Sequence, residues 1–353
     1  MLIILRNLAL KTYVTALIAA PTMTLGANPQ YTVTDLGYGK ATAINASGQV
    51  VGEYYAGGFI ESDGVRTDSF SLWSAITGIN DAGTIVGNAF DGGLLYSNGT
   101  VTSLNPGNAS FANGINDSTE VVGAFVNEGV YHAFLYSGGK YTDLGGLTLG
   151  GGEALNINNL GQIVGWSYAS NGFQHAFLYS GGVMQDLGTL GSGYSVATHI
   201  NNLGQVVGYS PPPQGGDEHA FLYSNGSMQD LGTFGGTFSV ADSINDQGQI
   251  VGGAATADEE LHAFLDTPAG MVDLNNLIDP NSGWTLREAM GINNAREIVG
   301  YGINGTGAED AFLLTPIPTP GASAIGMGLV ALLALPRKRS EACHRGSDIE
   351  NLP

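Results

Sequence analysis

Seven copies of one spacing constrain this chain more than any other feature. The dipeptide Ile-Asn begins at Ile44, Ile79, Ile115, Ile157, Ile200, Ile244 and Ile292, at intervals of 35, 36, 42, 43, 44 and 48 residues. Eight residues after each Ile stands a glycine: Gly52, Gly87, Gly123, Gly165, Gly208, Gly252 and Gly300. Each of these glycines directly follows Val-Val or Ile-Val. A fixed offset kept across unequal intervals means one structural unit reused, with its insertions confined to loops.

The stretch 194–232 shows the parts of a unit. SVATHIN reads as a first strand, NNLGQ as a tight turn and QVVGYS as a second strand. The loop PPPQGGDE follows, then a third strand HAFLYS, a two-residue NG hairpin turn and a fourth strand SMQDLG. No segment has a helical period. Glycine makes up 55 of 353 residues, yet 43% of the chain is hydrophobic and only 12% charged. That composition suits short strands and tight turns and excludes a disordered chain.

Four strands in roughly 40 residues is the pattern of a β-propeller blade. The seventh unit has three strands before the proline run that starts at Pro316. Its missing strand lies at the other end of the chain, where Asp35-Leu36-Gly37 matches the DLG of the fourth strands. The sequence therefore predicts an all-β fold over residues 31–315: a seven-bladed β-propeller, four strands per blade, whose N-terminal strand completes the last blade. The residue three before each Ile is alanine in six of seven units, Ala41, Ala112, Ala154, Ala197, Ala241 and Ala289, with Ile76 the exception, and such small residues suit the innermost strands, which crowd the axis. A solenoid would need polar end caps and would not explain a unit split between the termini.

The third strands carry His132-Ala-Phe134, His175-Ala-Phe177, His219-Ala-Phe221 and His262-Ala-Phe264. Together with the DLGTLGG segments they resemble the bacterial extracellular HAF-repeat proteins, over about residues 31–315. Blade 7 departs, with Asp310-Ala-Phe312, as do blade 2, with Gly93-Leu94-Leu95-Tyr96, and blade 1, around Phe59. The resemblance implies an extracellular repeat protein and carries no shared activity.

The two ends read as addresses. Residues 1–27 have Arg6 and Lys11, an apolar stretch and the small pair Gly26-Ala27, the layout of a cleaved secretory signal. Residues 316–339 hold Pro316, Pro318 and Pro320, an apolar run at 321–335 and Arg337-Lys338-Arg339, and a tail follows at 340–353. The apolar run is short against the roughly 20 residues of a spanning helix, and the basic cluster favours a cytoplasmic end. This layout is similar to the PEP-CTERM sorting signal, with Pro318-Thr319-Pro320 where that signal has Pro-Glu-Pro and with 14 residues after Arg339. The similarity implies export, transient inner-membrane anchoring through 321–335, and display at the cell surface or beyond it.

Residues 28–320 contain 28 acidic and 5 basic residues, a formal charge of −23. Such a surface repels phosphate backbones and excludes nucleic acid as a partner. It favours a soluble monomer and attracts cations. The single cysteine, Cys343, excludes an internal disulfide and a cysteine-based zinc site.

Candidate chemistry has to be weighed against the repeat. His132, His175, His219 and His262 start third strands, away from the axis, so they are expected to bond neighbouring backbone and not to share a metal. His199 sits on an inner strand and is a candidate channel residue. The Asn after each recurring Ile is expected to close an Asx turn. Calcium at these turns is the alternative, but it needs six or more oxygens and usually a longer acidic loop. No cofactor is expected. Asp35, Asp143, Asp186, Asp230 and Asp273 end fourth strands and should bond backbone in the crossing between blades.

Glu153, Asp242 and Glu288 lie on or beside inner strands near one mouth of the channel, without a nucleophile–base motif or a phosphate loop. Trp166, Tyr209 and Trp284 are candidate ligand-binding aromatics, since exposed rings stack on sugars. The reading is a non-catalytic secreted or cell-surface module, binding or structural, of the bacterial envelope or extracellular matrix. Its expected partners are extracellular polysaccharide or envelope proteins. The alternatives are a lectin-like propeller and a polysaccharide hydrolase or lyase using the three carboxylates.

Overall fold

The computed structural model describes residues 30–318 except 56, 71–72, 105–109 and 192. The expected secretory and sorting segments lie outside the described residues. Among the described residues, 28 strands form seven four-stranded antiparallel sheets. Blades 1 to 6 take consecutive strands and cover residues 40–69, 73–103, 110–143, 152–186, 196–232 and 235–273. Blade 7 combines three strands from 285–316 with Tyr31–Tyr38, which pairs antiparallel with Glu309–Pro316 as the outermost strand. The propeller and its predicted closure are both present. The one other element is a 3-10 turn, Leu274–Asn276, in the link from blade 6 to blade 7.

The recurring glycine has a steric cause. In every blade the register between the first two strands shifts just after the recurring small residue, for example between Ala154 and Asn156. This bulge drives an inner-strand carbonyl against the second strand. A Cβ on Gly123, Gly208 or Gly252 would lie 1.8, 1.9 or 2.0 Å from the carbonyl oxygen of Phe111, Val196 or Val240. The other four glycines face the equivalent carbonyl at 2.0 to 2.3 Å. Only glycine fits there.

The hydrophobic core is a set of wedges between neighbouring blades. One cluster joins Val122, Ala133 and Leu144 of blade 3 to Ala154, Ile163 and Phe177 of blade 4. Phe59, Phe134, Phe177, Phe221, Phe264 and Phe312 are fully buried. In blade 2 the equivalent position is Leu94, and Trp73 packs beside it in the same cluster. Inner alanines and outer aromatics thus divide the taper as the repeat predicts.

Each recurring Asn ties its blade to the next. Its Nδ2 donates to the backbone carbonyl of the following blade's Asn, at 2.9–3.2 Å, and the seven bonds close a ring through Asn293 and Asn45. Its Oδ1 accepts the backbone N–H four residues on, in all seven blades, so the Asx turn is present as well. A second ring lies beside the first. The N–H of the residue after each Asn donates to the side chain of its counterpart in the next blade, at 2.8–3.0 Å, six times. The seventh counterpart is Ala46, which offers no side-chain acceptor.

The repeated histidines correct one expectation. Nδ1 of His132, His175, His219 and His262 bonds the carboxylate of Asp143, Asp186, Asp230 and Asp273 on the adjacent outer strand, at 2.7–3.2 Å, and not the backbone. The third and fourth strands pair antiparallel, with Phe134 opposite Asp143, and this register sets the imidazole two residues earlier beside the carboxylate. The same aspartates, with Asp35, accept a backbone N–H two residues on, as expected of the crossing. Among the described residues no helix is long and apolar enough to cross a membrane.

Candidate functional site

The axis of the ring is a cavity of about 320 Å3 lined by all seven blades. Its lining runs from the bulge residues, such as Thr42, Asn113 and Asp242, to the residues of the two hydrogen-bonded rings. We call the end where the inner strands begin the entry face and the end carrying the Asn rings the turn face.

His199 lines this cavity, as expected of a channel residue. Its Nδ1 is buried without a hydrogen-bond partner. Burial lowers its pKa to about 4, against a small opposing pull from Asp246. It is therefore neutral at physiological pH.

Of the three candidate carboxylates, Asp242 and Glu288 lie within electrostatic reach of each other, and Glu153 and Asp242 both lie within reach of Tyr209. Glu153 Oε1 accepts from Asn113 Nδ2 at 2.9 Å. Desolvation raises its pKa, and Asn113 and the neighbouring Trp166 indole pull it the other way. Burial raises the Asp242 carboxyl well above the usual range, and the neighbouring Glu288 carboxylate adds to the rise. Burial, and then the Glu288 carboxylate, raise the Tyr301 phenol, and Lys40 Nζ stands 3.9 Å above its ring. Glu53 lies within electrostatic reach of Lys40, and desolvation raises its carboxyl too. Among the described residues no group of three or more His, Cys, Asp or Glu side chains is placed to hold a metal ion.

The candidate aromatics separate. Trp166 belongs to a strip of contacting rings on blades 3 and 4. Phe111 stacks on Tyr131 with centroids 6.2 Å apart, Tyr131 meets Trp166 at 6.2 Å, and Trp166 meets Tyr168 at 5.7 Å. Phe111, Tyr131 and Tyr168 are 36–40% exposed, and fully exposed Leu149 lies on the loop whose Thr148 bonds Tyr168. Tyr209 is half-buried instead. Its phenol is pushed up by burial and then by the Glu218, Asp242 and Glu153 carboxylates, so it belongs to the acidic arc. Trp284 is partly buried and packs against the core between blades 6 and 7, edge-on to Phe312 at 6.2 Å.

Sequence reasoning passed over Tyr131 and Phe111. Both depart from the repeat. Tyr131 stands where other blades have Gln174, Glu218, Leu261 and Glu309, and Phe111 where they have Lys40, Ala75, Glu153, Val196, Val240 and Glu288. Comparing each position across the units would have found them.

No family model and no curated protein matches the chain. Solved structures do. The extracellular domain assigned to a one component system of B. thetaiotaomicron has a TM-score of 0.53 at 12% identity, over 82% of this chain, which spans 40% of that protein's length. A chain of a mitotic checkpoint complex has a TM-score of 0.51 at 10% identity, over 89% of this chain and 99% of that one. A lectin of Aleuria aurantia, in complex with Fucα1-6GlcNAc, scores 0.39 at 12% identity over 69% and 96% of the two chains. At these identities the likeness is one of fold alone.

Proposed function

We propose that this chain is an exported, non-catalytic binding module of the bacterial cell surface or extracellular matrix, and that it takes a polysaccharide at the entry face. One observation carries this reading: four aromatic rings in unbroken contact, three of them about two-fifths exposed, end beside Glu153 and Asn113. Rings in series offer apolar faces to successive sugars, while the carboxylate and amide offer hydrogen bonds to hydroxyls. The excess of carboxylates over the cations Lys40 and Arg287 favours neutral or cationic sugars over uronates.

The test is binding of the purified protein to a broad glycan array, followed by Tyr131→Ala and Trp166→Ala. Selective binding that each substitution weakens by about tenfold or more, as loss of one stacking ring does, supports the reading. Absence of binding to any glycan, or binding indifferent to both substitutions, overturns it and turns the search to envelope proteins.

A further inference from the structure

We propose that the polymer taken at the entry face is cationic: a hexosamine chain with free amines, whose ammonium groups meet Glu153 and the acids of the neighbouring loops. The inference rests on the polysaccharide reading and narrows it. Charge is the first observation. Residues 110–273, which make blades 3 to 6, contain 16 acidic residues and one basic residue, Lys140. Lys140 pairs with Ser137 in the hairpin between the third and fourth strands, at the turn face. The loops that join second to third strands open on the entry face instead, and they carry exposed Glu128 in blade 3, Asp217 in blade 5 and Glu259 in blade 6. Thr237 Oγ1 lies 2.6 Å from Asp217 Oδ2 and 3.3 Å from Glu259 Oε2, so the acids of the last two loops are drawn together.

The second observation is a carboxylate set among the rings. Glu153 and Trp166 are directly opposite partners on the first two strands of blade 4, so their side chains share one face. Asn113 Nδ2 donates to Glu153 Oε1 and to the Ala154 carbonyl, each at 2.9 Å, and so fixes the carboxylate from the blade before. Tyr131 and Tyr168 stand at 60° and 88° to the indole, with centroids 6.2 and 5.7 Å away. A neutral sugar asks only for ring faces and hydrogen bonds. Ring faces with an acid beside them also attract a cation, because the π-density and the carboxylate pull the same way. One exposed ion pair adds little. A polymer repeats its ammonium groups, however, and the loop acids offer them further partners across the face. The same charges repel a uronate chain.

The test is calorimetry on the full purified chain at mildly acid pH with three oligomers of equal length: glucosamine with free amines, its fully N-acetylated form, and oligolysine as a cation without sugar rings. The free-amine sugar should bind at least about tenfold more tightly than the acetylated one, and high salt should shrink the gap. Glu153→Gln keeps an acceptor for Asn113 and removes the charge, so it should weaken the free-amine sugar more than the acetylated one. Trp166→Ala should weaken both. Asp217→Asn combined with Glu259→Gln, at two exposed positions, serves if Glu153→Gln fails to fold. Equal affinity for the two sugars, tighter binding of the acetylated one, or a preference that no charge change alters overturns this inference and leaves the polysaccharide reading standing. Oligolysine bound as tightly as the amino sugar and indifferent to Trp166→Ala also overturns it, since charge alone would then suffice. Binding of neither sugar overturns it as well, and the glycan array then decides the polysaccharide reading separately.

Discussion

The side-chain amide of Asn293 donates to the backbone carbonyl of Asn45 across 3.1 Å, and with this bond the last blade joins the first. The residues are 248 positions apart in the chain, so the contact exists only once the ring has closed. The same amide also bonds Glu297 Oε2 at 2.7 Å, while the Oδ1 of Asn293 accepts the Glu297 N–H.

Asn293→Asp should isolate the ring bond. The carboxylate still accepts the Glu297 N–H, so the turn survives. It cannot donate, and it faces a carbonyl and a carboxylate that have lost their partner. The expected loss is about 1–3 kcal/mol, the cost of leaving buried acceptors unpaired. Urea unfolding would report it, and a midpoint equal to wild type would show that the ring is not holding the blades.

Ala46→Asn should have the opposite sign. The second ring has six bonds and breaks where Asn294 would look to residue 46 for an oxygen. Other blades carry Asp or Asn at this turn position, so the backbone accepts the change. The gain should be about 0.5–1.5 kcal/mol, one partly exposed hydrogen bond. A variant no more stable than wild type in the same unfolding series would contradict it.

Much of this was legible because the repeat reports seven times on each position. Gly252 recurs because a carbonyl lies where its Cβ would be, and Ala241 recurs because the inner strands converge. Both were visible as pattern before their causes were known. Asn201 was legible as a turn residue but not as a tie to Asn245, since a sequence does not say which neighbour a side chain reaches between blades. Trp284 and Tyr131 show the other limit. Both are single aromatics, and only the packing shows that one lies partly buried against the core while the other stands exposed in a strip of rings.

Asp242→Asn should change how stability depends on pH, measured in chelator to exclude bound cations. Burial, then the Glu288 carboxylate, raise the pKa of folded Asp242 above its unfolded value. Its contribution is therefore fully present below the unfolded value and is lost as pH rises through the raised folded one. Wild type should melt higher in mild acid than at neutral pH. The amide of the variant stays neutral without needing a proton, so the variant should melt higher than wild type at neutral pH and show a flatter profile. Glu53 and Glu153, also raised by desolvation, keep a residual slope of the same sign. Parallel profiles for the two proteins would remove Asp242 as their source.

Asp310→His should strengthen the seam at which the ring closes. Four blades pair a third-strand His with an outer-strand Asp. Blade 7 has the same register, Phe312 opposite Asp35 as Phe134 is opposite Asp143, but an acid where the imidazole stands elsewhere. Burial and then repulsion from Asp35 raise the Asp310 carboxyl, so the two acids oppose each other on the strand that closes the propeller. An imidazole at this position faces Asp35 as His132 faces Asp143. The expected gain is about 1 kcal/mol, since Asp35 is exposed while position 310 is buried, and Asn304 Nδ2 gives up its bond to Asp310 Oδ2. The introduced group gains a partner on folding, so the gain is full below its unfolded pKa of about 6.5 and fades as pH rises above it. Hydrogen exchange localises the effect: amides of Tyr31–Tyr38 should exchange more slowly at mildly acid pH, with those of blade 4 as the internal control. Equal exchange in that strand for both proteins would mean that closure is held by Arg66, which bonds the Leu36 and Tyr38 carbonyls from blade 1, and not by the pairing within blade 7.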